Sequence, residues 1–89
     1  MAVEFESFKS VDLVKVSGRI DSNSAPALDE ALKQLTENGR YKLVLELSGV
    51  EYMSSAGVRA MVSALRTCKG RFGDVRIASP SERVGEVLA

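Results

Sequence analysis

The sequence contains no histidine, no tryptophan and only one cysteine, Cys68, among its 89 residues. Without histidine neither a Ser-His-Asp triad nor a Cys-His pair can form, and a single cysteine cannot make an internal disulfide. The chain also lacks a spaced cluster of acidic residues and a Gly-Lys-Ser/Thr phosphate loop, so the usual metal and nucleotide motifs are excluded. We therefore expect a protein that is not an enzyme and needs no metal or cofactor.

Neither sign of charge is in excess, because 12 basic residues balance 12 acidic ones. A neutral chain gives no support for nonspecific nucleic-acid binding. No apolar run approaches the ~20 residues that cross a bilayer, and no signal peptide opens the sequence, so we expect a cytoplasmic protein without membrane insertion. The second half is mildly basic. A solvated helix face explains this, and the alternative is a docking surface for an acidic partner.

The first half of the chain predicts two strands followed by a helix. Apolar and polar residues alternate around positions 3–6 and 14–17, which indicates half-buried strands joined by a hairpin near residues 9–10. The next segment predicts a helix, because Leu28, Leu32 and Leu35 recur at helical spacing. Ser24 before them is a candidate N-cap, and Asn38-Gly39 after them is a stop signal.

The second half predicts a buried strand over residues 43–47, a short loop, a helix, a strand over residues 74–78 and a last helix. The inward face of the first of these helices is expected to contain Val58, Met61, Val62, Leu65 and Cys68. The last helix is expected after the capping box at residues 79–82, with an inward stripe of Val84, Val87 and Leu88. The order β-β-α-β-α-β-α predicts one α/β domain over residues 1–89. Its mixed four-stranded sheet should carry the helices mainly on one face.

Two adjacent serines, Ser54 and Ser55, lie at the predicted start of the second helix. A helix N-terminus has unpaired backbone N–H groups and the positive end of the helix dipole, so an anion is tolerated there. In one interpretation both serines are N-caps and nothing more, and each stabilises the helix by about 1 kcal/mol at most. Either hydroxyl could also carry a phosphate.

The stretch around these serines resembles the signature of bacterial anti-sigma factor antagonists, the small proteins of the STAS domain family. The matching residues are Glu46-Leu47-Ser48, Tyr52-Met53, Ser54-Ser55, Ala56 and Gly57. A second match, over residues 18–26, is similar to the family's loop between the second strand and the first helix. The family usually continues with a further strand and helix, so the C-terminus is shorter than expected.

The resemblance implies a partner-switching regulator of sigma-factor-dependent transcription. Its partners would be an anti-sigma factor that is also a serine kinase, and a serine phosphatase. Ser55 aligns with the family's phosphoacceptor, and Ser54, where the family often has Asp, is the alternative acceptor. The expected partner-binding residues are Asp21, Ser22, Asn23, Ser54, Gly57, Val58 and Arg59.

Three of these residues have a plainer interpretation. Asp21 is otherwise a turn residue, Gly57 a helix-packing residue and Arg59 a solvated side chain that could also reach a phosphate on Ser55. An Asp21→Ala change is expected to alter stability by no more than ~0.5 kcal/mol. The alternative function is a STAS docking module of a larger signalling assembly or of a membrane transport system. The sequence leaves the oligomeric state open.

Overall fold

The computed structural model describes residues 1–78, which form four strands and two helices. Their bounds are β1 Ala2–Ser7, β2 Asp12–Ile20, α1 Ala25–Glu37, β3 Lys42–Met53, α2 Ser55–Lys69 and β4 Asp74–Ala78. The order of these elements is the one predicted from the sequence. The helix predicted after the capping box, with its stripe of Val84, Val87 and Leu88, lies outside the described residues.

The strands form one mixed sheet in the order β1-β2-β3-β4. β1 pairs antiparallel with β2, whereas β2 with β3 and β3 with β4 pair in parallel. Parallel pairing places the carboxyl ends of β2 and β3 at the same end of the sheet, beside the loop of residues 21–24 and the start of α2. We call this the carboxyl end. The opposite, amino end contains the loops of residues 8–11, 38–41 and 70–73.

The core lies on one face of the sheet, between the sheet and the two helices. Along β3, Leu43, Leu45 and Leu47 are buried while the residues between them are only half-buried. On the other face the register aligns Glu4, Lys15 and Glu46 across three strands. Since the apolar side chains alternate toward one face, both described helices pack there, as predicted from the alternating pattern.

The prediction of a short loop after Leu47 is wrong, because β3 continues to Met53. Ser48 and Gly49 have the composition of a turn, but both lie within β3, where Gly49 pairs with Ser17 of β2 beside a shift in the register. A Cβ on Gly49 would lie 3.0 Å from the Cβ of Ser17, so the two strands approach closely there. The irregularity returns Val50 and Met53 to the core.

The expected inward face of α2 is wrong in part. Met61 and Cys68 are buried, but Val62 is 39% exposed and Val58 and Leu65 are only half-buried. The other buried positions are small residues, Gly57, Ala60 and Ala64. α2 packs against α1 as well as against the sheet. Its small side chains allow the two helices to approach closely, and the larger side chains of α2 then lie toward β4.

The amino end contains a buried acid that the sequence did not reveal. The side chain of Asp12 is 1% exposed and accepts hydrogen bonds from the Ser7 hydroxyl and from Nε of Arg40. Burial raises the pKa of Asp12, but the hydrogen bonds from Ser7 and Arg40 and the charge of Arg40 outweigh it, so the pKa is lowered. The acid therefore stays ionised inside the fold and ties β2 to the loop before β3.

Candidate phosphorylation and partner-binding site

Ser54 joins the carboxyl end of β3 to α2 and is the N-cap of that helix. Its backbone is extended, with φ −81° and ψ 168°, and its hydroxyl accepts a hydrogen bond from the Gly57 N–H at 3.4 Å. Its own N–H donates to the carbonyl of Ile20, at the end of β2, at 2.7 Å. Ser54 is therefore half-buried and engaged through both its backbone and its side chain.

Ser55 is the first residue of α2, and its side chain is exposed. The position predicted from the sequence, exposed at the N-terminus of this helix, is confirmed. Within residues 1–78 no group makes a hydrogen bond to its hydroxyl, and the first turn of α2 contains no acidic residue. The unpaired N–H groups and the dipole of a 15-residue helix therefore act on a free hydroxyl at this point.

Asp21 organises the loop between β2 and α1. Its Oδ1 accepts from the N–H groups of Asn23 and Ser24, each at 3.0 Å, and from the Ser24 hydroxyl at 3.2 Å. The hydrogen bond from the Ser24 backbone is the main reason that the pKa of Asp21 lies below its ordinary value. Asp21 is half-buried, whereas the next two residues of the loop, Ser22 and Asn23, are exposed. The acid thus holds the loop in shape.

Ser24 occupies the N-cap position of α1, as predicted, but its hydroxyl does not cap the helix. Instead the hydroxyl accepts from the Asp21 N–H at 2.9 Å, and its one proton is shared between the Arg19 carbonyl at 3.0 Å and Oδ1 of Asp21 at 3.2 Å. The loop therefore resembles a closed ring of reciprocal hydrogen bonds between positions 21 and 24. This arrangement fixes the exposed residues of the loop relative to the start of α2.

Gly57 and Val58 are oriented toward the interior rather than the surface. Gly57 is buried, and a Cβ at this position would lie 2.7 Å from Cγ2 of Ile20 and 3.1 Å from Cγ of Met53. Val58 is half-buried and packs against the core. These contacts favour the helix-packing interpretation of Gly57, since its absent side chain lets α2 approach β2 and β3.

Arg59 is exposed one turn after Ser55 and borders an open hollow of about 280 Å³ between the first turns of α1 and α2. Ser22 and Asp29 line the same hollow from the side of α1, and Ala56 lines it from the side of α2. The structure thus brings together Ser22 and Arg59, which are far apart in the sequence. The hollow offers both signs of charge within a small area.

Two residues of this end, Arg19 and Tyr52, were not identified as site residues from the sequence. They are opposed across β2 and β3, and the Arg19 guanidinium carbon lies 4.6 Å from the centre of the Tyr52 ring. This cation–π contact holds a positive charge beside Asp21, where it also helps to lower the pKa of that acid. Both residues lie in the motifs quoted above, but only the register shift in β2 sets them opposite each other.

Within residues 1–78, no three His, Cys, Asp or Glu side chains are grouped as they would be in a metal site. Neither described helix has the length and apolarity needed to cross a membrane.

Comparison with known proteins places the chain in a family. Residues 4–89 match the family model described as "Mlab, STAS domain". The anti-sigma-B factor antagonist of Staphylococcus epidermidis is 31% identical over 75 residues, which are 84% of this chain and 69% of the relative. The chain therefore belongs to the STAS domain family and, within it, to the anti-sigma factor antagonists.

Solved structures agree with this assignment. An anti-sigma factor antagonist from Mycobacterium paratuberculosis superposes with a TM-score of 0.79 at 30% identity, over 98% of this chain and 75% of that one. The Bacillus antagonist SpoIIAA is similar in its unphosphorylated form, with a TM-score of 0.83, 16% identity and coverage of 98% and 81%. Its phosphorylated form gives a TM-score of 0.82. At this identity SpoIIAA supports the fold alone.

Proposed function

We propose that this protein is a partner-switching anti-sigma factor antagonist whose switch residue is Ser55. In its unphosphorylated state it binds an anti-sigma factor that is also a serine kinase, and so releases a sigma factor for transcription. Phosphorylation of Ser55 ends this binding, and a separate serine phosphatase restores it. The observation that carries the proposal is the exposed hydroxyl of Ser55 at the N-terminus of α2, which makes no hydrogen bond within residues 1–78.

The two neighbouring serines differ in how free their hydroxyls are. The Ser54 hydroxyl caps α2 and its N–H is bonded to the end of β2, so its modification would disturb the start of the helix. The Ser55 hydroxyl has no such engagement within the described residues. A kinase can therefore reach Ser55 without breaking a contact of the fold, and we assign the acceptor role to it rather than to Ser54.

A phosphate on Ser55 should leave the domain folded but weaken its binding to a partner that covers this serine. It adds about −1.5 to −2 charges at neutral pH, and the helix N-terminus stabilises negative charge at that point. A partner that covers Ser55 must desolvate this charge, at a cost of several kcal/mol if it stays unpaired. A penalty of ~3–4 kcal/mol weakens binding several-hundred-fold.

The surface around Ser55 is where we expect the kinase to bind. The exposed loop residues Ser22 and Asn23 and the hollow beside Arg59 surround the start of α2, and Asp21 holds that loop in place. ATP and magnesium would belong to the kinase, so the antagonist itself would be no enzyme and would need no cofactor. It would act in the cytoplasm, where sigma factors act.

The test is phosphate transfer from ATP by the anti-sigma kinase of the same organism, followed by mass mapping and a release assay. Phosphate should map to Ser55. The Ser55→Ala variant should bind the kinase and stay bound when ATP is added, and Ser55→Glu should fold normally and bind more weakly. Ser54→Ala is the matched control, because it removes the neighbouring hydroxyl and should still be phosphorylated and released.

Three outcomes would overturn the proposal. Phosphate found on Ser54 alone would move the switch by one residue. A Ser55→Ala protein that is phosphorylated and released at the normal rate would remove Ser55 from the mechanism. If a partner is bound, no phosphate is transferred and Ser55→Glu binds as well as the parent, the protein is a docking module instead.

A further inference from the structure

The three loops at the amino end of the sheet are fastened to one another. Nη2 of Arg40 donates to the carbonyl of Phe8 at 2.8 Å, which joins the first loop to the second. The Asp74 N–H donates to the carbonyl of Tyr41 at 2.9 Å, which joins the second to the third. Gly73 packs so closely there that a Cβ would lie 1.9 Å from the Tyr41 oxygen. The loops therefore form one platform.

This platform presents two phenylalanines to solvent. Phe72 is 98% exposed and has a φ of 63°, and Phe8 is 54% exposed. A bulky residue in the left-handed region is strained, and an exposed aromatic ring contributes little to the stability of the monomer. The left-handed backbone of Phe72 belongs to the turn that ends α2, where the Gly73 N–H donates to the Cys68 carbonyl at 2.7 Å. The exposed rings have no such structural use, and they indicate a role in binding.

The phenylalanines are surrounded by positive charge. Five exposed basic residues belong to the platform or to the strand and helix ends beside it: Lys9, Lys42, Lys69, Arg71 and Arg76. The acids of this end are the buried Asp12, the exposed Glu6 and Glu37, and the half-buried Asp74, which lies 3.4 Å from Nζ of Lys69 and 3.3 Å from Nε of Arg76. Cations therefore outnumber acids, although the chain as a whole is neutral.

We propose that this platform docks on an anionic membrane surface, with Phe72 and Phe8 entering the headgroup region and the basic residues contacting lipid phosphates. Phe72 projects from a loop tip and is almost fully exposed, so a protein partner would need a matching pocket for it. A bilayer interface accepts a projecting aromatic side chain without one, and anionic lipids attract clustered lysine and arginine. Such docking is peripheral and independent of the role of Ser55.

The test is sedimentation of the full chain with vesicles of phosphatidylcholine, with and without phosphatidylglycerol. Binding should require phosphatidylglycerol and should be lost in about 1 M salt, where screening acts within roughly 3 Å. Phe72→Ser should lower the partition coefficient about tenfold. Lys42→Gln and Arg71→Gln should each lower it about fivefold.

Two control variants change exposed residues outside the platform. Phe5 is 49% exposed on β1, one cross-strand row farther from the loops than Arg76, and Phe5→Ser should lower the partition coefficient less than Phe72→Ser. Arg59→Gln removes a charge from the opposite end and should have no effect. Equal binding to both kinds of vesicle, or an unchanged coefficient for Phe72→Ser, would overturn the proposal. Binding of soluble polyglutamate without vesicle binding would assign the platform to an acidic protein, and would overturn it too.

Discussion

β2 has an aspartate at its start and another directly after its end, and the two have different functions in the fold. Asp12 is 1% exposed and is neutralised by the cation of Arg40. Asp21 is half-buried and its charge is satisfied by N–H and hydroxyl groups of its own loop. Both have lowered pKa values. One acid connects distant segments, whereas the other shapes a short segment beside the proposed switch.

The contacts of Asp12 stabilise the whole fold, whereas those of Asp21 shape one loop of the proposed partner-binding surface. The contact between Asp12 and Arg40 joins residues 28 positions apart and closes the amino end of the core. The hydrogen bonds of the Asp21 side chain reach no farther than Ser24. Because the side chains of the loop of residues 21–24 are held by local bonds, a change in them should affect the rest of the fold little, which suits a surface beside a phosphate site.

The largest expected effect follows from breaking the Asp12 contact. Arg40→Met leaves a buried carboxylate without its cation, which costs about 3 kcal/mol in typical proteins. Since the Arg40 side chain is 31% exposed, we expect about 2–3 kcal/mol, measured by urea unfolding. The control is Asp12→Asn combined with Arg40→Met, which removes both charges and should be less destabilised than Arg40→Met alone. A loss below about 0.5 kcal/mol would make the contact a surface ion pair.

The pH dependence of the melting temperature should show the contribution of Asp12 to stability. A carboxyl whose pKa is lowered on folding stabilises the protein above its unfolded pKa of about 3.9, and this contribution is lost as the pH falls through the folded pKa. The melting temperature should therefore fall below about pH 4. Asp12→Asn should flatten this fall more than Asp21→Asn, because only Asp12 is buried. Equal slopes in the two variants would contradict the comparison.

Local patterns allowed much of the fold to be predicted from the sequence. The alternation of the opening strands, the leucine spacing of α1 and the Asn38-Gly39 stop signal act over a few residues, and the structure has these elements where they were expected. The exposed position of Ser55 was also predicted, since it follows from a helix start. Its role as an acceptor remains a proposal.

Features that depend on distant residues were missed. The partner of Asp12 comes from a loop that only the folded sheet brings near, so no spacing in the sequence signals it. The continuation of β3 past Gly49 depends on the matching small residue Ser17 in β2. The inward face of α2 is set by its close packing with α1, which favours Ala60 and Ala64 over the larger Val62.

A smaller effect is expected at the carboxyl end. Asp21→Ala removes the acceptor of three hydrogen bonds in the loop, and such cap-like losses cost about 1 kcal/mol. This is more than the ~0.5 kcal/mol expected for a plain surface residue. Asp21→Asn retains one acceptor oxygen and should lose about half as much. Urea unfolding measures both variants. An unchanged midpoint for Asp21→Ala would show that the loop keeps its shape without the carboxylate.

The smallest effects distinguish the two serines. Ser54→Ala removes the N-cap of α2, and because its hydrogen bond to Gly57 is long, at 3.4 Å, we expect a loss near 0.5 kcal/mol, the low end for caps. Ser55→Ala removes a hydroxyl that has no partner within residues 1–78, so its unfolding midpoint should match that of the parent. The two midpoints should be measured together in urea, since the difference is small. If Ser55→Ala is the less stable variant, the Ser55 hydroxyl contributes to the fold, and its freedom to accept a phosphate loses its structural basis.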